Sequence, residues 1–267
     1  MTELSTPRLL VLLTLILPAA LGPSAQAHDT WVEAGPLYAT TGEYVYVNLM
    51  LGNHGNEHRD FKLASKITLA PCKLVVTAPD GQVTDLKPAV LDMGSAAKEG
   101  YWTARYDLQQ AGLHEVVHTL DTLHGTIRAI KSAKTYVLAR PADGPQSVDA
   151  TELPKSYGHG LELLLHTPPS QLSAGHNAQV QVLRNGKPLP AARVTFVPRG
   201  QQLSEGFDEQ YERTSNEQGL VDFTPQQGNV ILVIAHHAVP EESGDGYDKT
   251  HYSAALVLPI PNHASSR

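Results

Sequence analysis

Residues 172–200 read LSAGHNAQVQVLRNGKPLPAARVTFVPRG, and this stretch decides the fold class. Two runs within it, 178–184 and 192–197, alternate apolar and polar residues, which is the pattern of half-buried β-strands. Between the two runs, Asn185-Gly186-Lys187-Pro188 is typical of a tight hairpin turn. The stretch therefore predicts β-strands that bury one face.

Strand-like segments of the same kind extend along the rest of the chain. They cover residues 43–51, 73–78, 101–108, 115–120, 134–139, 161–166, 219–223, 229–236 and 253–258. Short strands at intervals of about ten residues indicate β-sandwiches. Residues 141–156, PADGPQSVDATELPKS, have almost no apolar periodicity and are predicted to form a linker. We therefore predict an all-β protein with two immunoglobulin-like or transthyretin-like β-sandwich domains, 28–140 and 157–260.

Composition excludes several classes of function. The 267 residues include 20 Lys and Arg against 27 Asp and Glu, a net charge of −7, and no basic run. Nucleic acid is therefore not an expected partner, because its binding relies on basic side chains that displace counterions from phosphates. The single cysteine, Cys72, excludes a disulfide framework and is predicted to be a buried residue at the start of a strand. Thirteen histidines are roughly twice the usual share of about 2% and require an explanation.

The first 27 residues have the features of a secretory signal peptide. Arg8 precedes the apolar run LLVLLTLILPAALG (9–22), and Ala25-Gln26-Ala27 offers a small-residue cleavage site. The run is too short to span a bilayer and contains a proline. We predict a soluble, periplasmic mature protein with no membrane-spanning segment after cleavage.

Cleavage after Ala27 would make His28 the first residue of the mature protein. An N-terminal histidine offers its α-amine and its imidazole Nδ1, which together can close a chelate ring on one metal ion. Such nitrogen donors suit Cu(II), Ni(II) and Co(II). The sequence therefore predicts a metal site whose chemistry is created by export.

Other histidines are candidate ligands of the same ion. His54 and His58 lie in a Gly- and Asn-rich loop after a predicted strand, where both could converge on one ion. His236 and His237 end an apolar strand and open an acidic loop that closes on His251. Adjacent strand residues face opposite sides, so at most one of His236 and His237 is expected to join the site unless the strand has already ended. The predicted metal ligands are His28, His54, His58, His236, His237 and His251.

Four further histidines are predicted to be structural residues of strands, His114, His118, His159 and His166. His114 and His118 are four residues apart on one strand face, about 13 Å at roughly 3.3 Å per residue. This separation is too large for joint ligation of one ion.

Several motifs resemble a known family. They are residues 172–200 with TSNEQGLVDF (214–223), the predicted mature start His28-Asp29-x-Trp31, Gly42-Glu43, and Gly52-Asn53-His54-Gly55. Together they resemble the periplasmic domain-of-unknown-function family associated with nickel and cobalt uptake systems, over nearly all of residues 28–260. The resemblance implies a two-sandwich, metal-associated periplasmic protein.

The leading hypothesis is a metal-binding accessory protein of an uptake system, not an enzyme. Its ligand would be nickel or cobalt, or else copper or zinc, and its partner a membrane metal transporter. No nucleophile elbow, P-loop or dinucleotide-binding glycine motif is present, so no catalytic or cofactor-binding residue is predicted. Two alternatives stay open at this point, a histidine-brace copper oxidase and a structural or carbohydrate-binding β-sandwich protein.

Overall fold

The computed structural model describes residues 28–52, 68–94, 96, 100–143 and 152–263, and this part of the chain is all-β, as predicted. The strands are β1 (Asp29–Glu33), β2 (Tyr38–Thr40), β3 (Tyr44–Gly52), β4 (Cys72–Thr77), β5 (Val83–Asp85), β6 (Leu91–Asp92), β7 (Trp102–Asp107), β8 (Gly112–His124), β9 (Ile127–Arg140), β10 (Leu161–Leu165), β11 (Ala178–Arg184), β12 (Lys187–Pro188), β13 (Arg193–Pro198), β14 (Glu212–Thr214), β15 (Leu220–Phe223), β16 (Asn229–Val239) and β17 (Lys249–Ile260). Within the same ranges, the helical elements are the short 3₁₀ turns Lys87–Ala89 and Pro169–Gln171. None of these helices could cross a membrane.

The tight turn predicted after residue 184 is present. Asn185 and Gly186 both have positive φ, 51° and 73°, as a two-residue hairpin turn requires, and Arg184 pairs with Lys187 across it. β11 therefore folds back onto the short strand β12, and β13 crosses to the facing sheet, where it pairs with β16. Phe196 of β13 then stacks on Phe223 of β15 with ring centroids 4.4 Å apart, which closes this sandwich.

One large sheet connects the two halves of the chain. Its nine strands follow the order β14-β13-β16-β17-β9-β8-β4-β5, with β2 pairing separately with β9. The junction is a parallel pair between β17 and β9, which runs from Lys249 opposite Ile127 to Leu256 opposite Lys134. The first half of the chain thus contributes β9 and the second half contributes β17 to the same sheet.

A smaller sheet covers each face of the large one. The sheet β1-β3-β7-β6 forms one core with the large sheet, and β10-β11-β12 with β15 forms the other. The central strands alternate between the two cores: Tyr136 and Leu138 of β9 face one, and Val137 and Ala139 face the other. β9 and β17 are therefore buried on both faces over much of their length, which explains the continuous apolar runs at 136–139 and 254–260.

The predicted two-sandwich class is thus confirmed. The two sandwiches share the large sheet, and each uses one of its faces. Residues 144–151 of the predicted linker lie outside the described residues, so the linker and the domain boundaries 28–140 and 157–260 stay predictions. The segment 178–184 coincides with β11, whereas β8 and β9 extend well beyond the predicted 115–120 and 134–139. They are longer because they pair with each other along their whole length.

Several predicted structural residues are buried. Cys72 begins β4, and burial raises the pKa of its thiol to about 11, which keeps the thiol protonated. His114 and His118 both lie buried in β8, where His114 contacts the hydroxyl of Tyr106 at 3.1 Å. His159 and His166 differ from the prediction: His159 lies exposed in a bend before β10, and His166 lies one residue beyond its end.

We expect His118 to make the protein less stable in mild acid. Its imidazole is fully buried beside the carbonyl of Lys73, and desolvation lowers its pKa to about 4, from 6.5. Below pH 6.5 the unfolded chain binds a proton that the folded protein does not, so the free energy of unfolding falls until about pH 4. Between pH 7 and pH 5 this costs about 2 kcal/mol.

Urea unfolding at both pH values measures this effect. His118→Asn keeps an amide donor near the position of Nδ1 and cannot titrate, so its pH dependence should be weaker than that of the wild-type protein by that amount. The control His166→Asn, at a half-buried histidine, should keep the wild-type dependence. An unchanged dependence in His118→Asn would show that another group is responsible.

Candidate metal centre

His236 and His237 lie within a strand, because β16 continues to Val239. Their side chains therefore point to opposite faces of the large sheet. His236 lies on the face covered by β1, where its Nε2 is 2.8 Å from Oδ1 of Asp29. The Asp29 side chain is only 5% exposed, whereas that of His236 is 54% exposed. The exposed imidazole of His236 therefore contacts the buried carboxylate of Asp29, the residue that follows His28.

His237 belongs to a different cluster on the other face. Its Nε2 lies 3.5 Å from a guanidinium nitrogen of Arg184, which is paired with Glu242. Tyr252 donates a hydrogen bond of 2.6 Å to the same glutamate. Partial burial, and then the guanidinium charge, lower the pKa of His237. His237 therefore lies on the opposite face of the sheet from His236, beside the guanidinium group of Arg184.

His251 lies on the same face as His236. It is opposite Ala238 on β16, and residues 236 and 238 of one strand point to the same side. Burial lowers the pKa of His251, followed by the charges of Lys249 and His236. Two of the predicted ligands are therefore brought to one region of the sheet.

His28 is held at the same corner through its backbone. Its carbonyl oxygen accepts a hydrogen bond of 2.5 Å from Nζ of Lys131. Lys131 of β9 is opposite Ser253 of β17, which is in turn opposite His236 of β16. The three side chains form a row across the sheet beneath the start of β1. Burial lowers the pKa of the lysine, and the nearby carboxylate of Asp29 opposes this shift.

The pairing of Asp29 with His236 does not extend into a Ser-His-Asp triad. Ser253 is opposite His236, but its hydroxyl contacts Nζ of Lys131 at 3.5 Å, and no hydrogen bond joins it to His236 among the described residues. The arrangement lacks the bond between nucleophile and base that acyl transfer needs.

Asp29 and Lys131 were not predicted as site residues. Asp29 had one usable signal, its position directly after the predicted N-terminal histidine. Lys131 had none, because it is 103 residues from His28 in sequence and is one of several polar residues of its strand. These residues come together only because the sheet that contains β1 packs over the large sheet.

The remaining predicted ligands limit what the described residues can hold. His54 and His58 lie outside them. Within the described ranges, no group of three His, Cys, Asp or Glu side chains is placed to hold a metal ion. A complete site at this corner therefore needs the α-amine of a cleaved chain, or donors from outside these ranges.

Comparison with known proteins gives a family and no activity. A family model described as a domain of unknown function, DUF4198, matches residues 25–239. No curated protein matches the chain significantly.

Three solved structures with detectable similarity are only distantly similar to this chain. The D0-D1 domain of Intimin is 14% identical over 88% of this chain and 100% of its own, with a TM-score of 0.22. Salmonella alpha-2-macroglobulin reacted with methylamine is 15% identical over 88% of this chain and 15% of its own, with a TM-score of 0.27. The Yersinia pseudotuberculosis adhesin InvE is 12% identical over 89% and 61%, with a TM-score of 0.21. Similarity this weak carries no argument about function.

Proposed function

The chain belongs to the DUF4198 family, a domain of unknown function, and we propose that it is an exported protein that binds a divalent transition-metal ion and delivers it to an uptake transporter. One observation carries the proposal. His236 meets Asp29 from 207 residues away, at the residue that would follow an N-terminal histidine after signal-peptide cleavage. Two imidazoles and an amine would then be available at one corner of the protein.

The donor set fits a transition-metal ion in its chemistry. The α-amine and Nδ1 of His28 would form a chelate, and the imidazole of His236 would add a third nitrogen. His251 on the same face is a further candidate donor, as are His54 and His58, which lie outside the described residues. Amine and imidazole nitrogens suit nickel, cobalt, copper and zinc. We propose nickel or cobalt first, because of the family resemblance of the mature start and the Gly-Asn-His-Gly loop.

The location and the partner follow from the same chemistry. Residues 1–27 have the pattern of a signal peptide, and the chelate at His28 would exist only after its removal. The ion is then cargo, held at an open site from which a periplasmic face of a transporter can receive it. The half-exposed imidazole of His236 provides such an open site.

The same donors would also suit a histidine-brace copper oxidase, in which an N-terminal histidine and a second imidazole hold copper. The two functions differ in turnover. An oxidase loaded with copper would oxidise a substrate in the presence of peroxide, whereas a carrier would bind and release the ion unchanged. Peroxide-dependent oxidation by the copper-loaded protein therefore distinguishes them.

Replacing His236 by alanine should weaken metal binding, whereas replacing His237 should not. Removing an outer-shell partner typically weakens affinity by about 10–100-fold, so loss of a ligand should cost at least this much. His237→Ala is the matched control, because it removes the same side chain from the next residue on the opposite face. Calorimetric titration of the protein beginning at His28 with Ni(II), Co(II), Cu(II) and Zn(II) measures both effects.

Two results would contradict the proposal. Absence of binding for all four ions would refute metal capture by this protein. An equal loss of affinity in His236→Ala and His237→Ala would show that the site is not on the face covered by β1.

A further inference from the structure

Asp29 provides a buried carboxylate directly behind the exposed imidazole of His236. Its Oδ1 lies 2.8 Å from Nε2 of the ring. An ionised carboxylate only accepts hydrogen bonds, so in the neutral ring the proton must be on Nε2. The lone pair of the imidazole is then on Nδ1. We propose that Asp29 is a positioning residue for metal binding, fixing His236 so that Nδ1 is the coordinating nitrogen; this inference rests on the proposed function.

Burial argues that Asp29 positions the ligand and does not itself bind the ion. Its side chain is 5% exposed against 54% for that of His236, so an ion arriving from solvent meets the imidazole first. The hydrogen bond holds the ring from its inner side. A carboxylate that donates no ligand atom but orients a metal-bound histidine is a common second layer of metal sites, and it also raises the basicity of the imidazole.

Charge supports the same assignment. The side chain of Lys131 is buried at the same corner, close enough for its charge and that of Asp29 to attract each other. The negative charge of Asp29 is therefore already compensated inside the protein, which makes its oxygens weaker ligands for a cation. The imidazole of His236, in contrast, has an exposed side that an ion can reach from solvent.

Lys131 has the matching role at the other proposed ligand. Its ammonium group donates to the carbonyl oxygen of His28, which fixes the backbone of the residue whose amine and imidazole would form the chelate. Two buried groups of opposite charge thus lie behind the two histidines, Asp29 behind His236 and Lys131 behind His28. Such support preorganises ligands and reduces the cost of ordering them on binding.

Two substitutions of Asp29 test the proposal, on the full mature protein beginning at His28. Asp29→Ala should weaken binding of Ni(II) and Cu(II) by about 10–100-fold. Asp29→Asn keeps an oxygen that accepts from Nε2 and loses only the charge, so it should weaken binding by less than about tenfold. The control is Glu33→Ala, which removes a carboxylate from the same side of β1. Glu33 pairs with Arg199 at 2.7 Å, so its loss should leave the affinity for metal unchanged.

The paramagnetic resonance spectrum of the Cu(II)-loaded protein separates positioning from ligation. Asp29→Asn should give the wild-type spectrum, because its coordinating atoms are unchanged. If Asp29→Asn loses as much affinity as Asp29→Ala and changes the spectrum, Asp29 is a ligand and the proposal is wrong. If both variants bind as tightly as the wild-type protein, Asp29 has no role and metal capture itself still stands. If the wild-type protein binds neither ion, the proposed function fails and this inference with it.

Discussion

Replacing Lys134 by alanine should lower the free energy of unfolding by about 3–5 kcal/mol, the usual cost of removing one member of a buried ion pair. The side chains of Lys134 and Glu162 are 2% and 1% exposed, and Nζ lies 2.5 Å from Oε1 of Glu162. The same ammonium lies 2.9 Å from Oε1 of Glu115 and donates to the carbonyl oxygen of Lys155 at 2.9 Å. Without it, the buried carboxylate of Glu162 and the half-buried carboxylate of Glu115 would lose the cation that they share.

The position of this cluster adds to its effect. Lys134 is on β9 in the large sheet, and Glu162 is on β10 of the smaller sheet that covers it. Glu162 also accepts hydrogen bonds from the hydroxyl of Ser156 and the backbone amide of Tyr157. The ion pair therefore attaches the start of the second sandwich to the central strand of the large sheet.

Urea unfolding at pH 7 measures the loss, as a lower midpoint at unchanged slope. Lys73→Ala, at an exposed lysine on β4, is the control and should change stability by less than about 0.5 kcal/mol. Lys134→Met with Glu162→Gln removes both charges of the closest pair and should be less destabilising than Lys134→Ala alone. A Lys134→Ala protein as stable as the Lys73→Ala control would show that the ion pair contributes nothing net.

Retaining residues before His28 should abolish tight metal binding. In a protein that begins at Ser24, the nitrogen of His28 is part of a peptide bond and is no longer a free amine, so the chelate ring cannot form. We expect affinity for Ni(II) and Cu(II) at least about 100-fold below that of the protein beginning at His28, which exceeds the loss of an outer-shell partner. Calorimetry on the two proteins measures the difference.

His28→Ala in the shorter protein is the matched control, because it keeps a free amine and removes only the imidazole. This variant also lacks the chelate ring, so its affinity should likewise lie well below that of the unsubstituted protein beginning at His28. Equal affinity of the extended and the cleaved proteins would show that the site does not use the amine. Mass spectrometry of the exported protein provides a separate check, since a mature start other than His28 would remove the chelate from the native protein.

Local sequence was sufficient for the class of the fold. Alternation in 178–184 and the Asn185-Gly186 turn predicted β11 and its hairpin, because both depend on side chains and φ angles of neighbouring residues. The placement of His114 and His118 in one strand was predicted for the same reason. The single shared sheet was not predicted. It depends on the parallel pairing of β17 with β9, and strands buried on both faces lose the alternation from which a strand's inner face is recognised.

Part of the candidate site likewise follows from local sequence, and part depends on the tertiary structure. That His28 would offer an amine and an imidazole follows from the residues around a cleavage site, and needs no fold. The contact of His236 with Asp29 depends on β1 lying across one face of the large sheet. The contact of His237 with Arg184 on the other face depends on β16 continuing to Val239. These contacts join residues 207 and 53 positions apart, and their register is set by the packing of whole sheets, which no local pattern in the chain encodes.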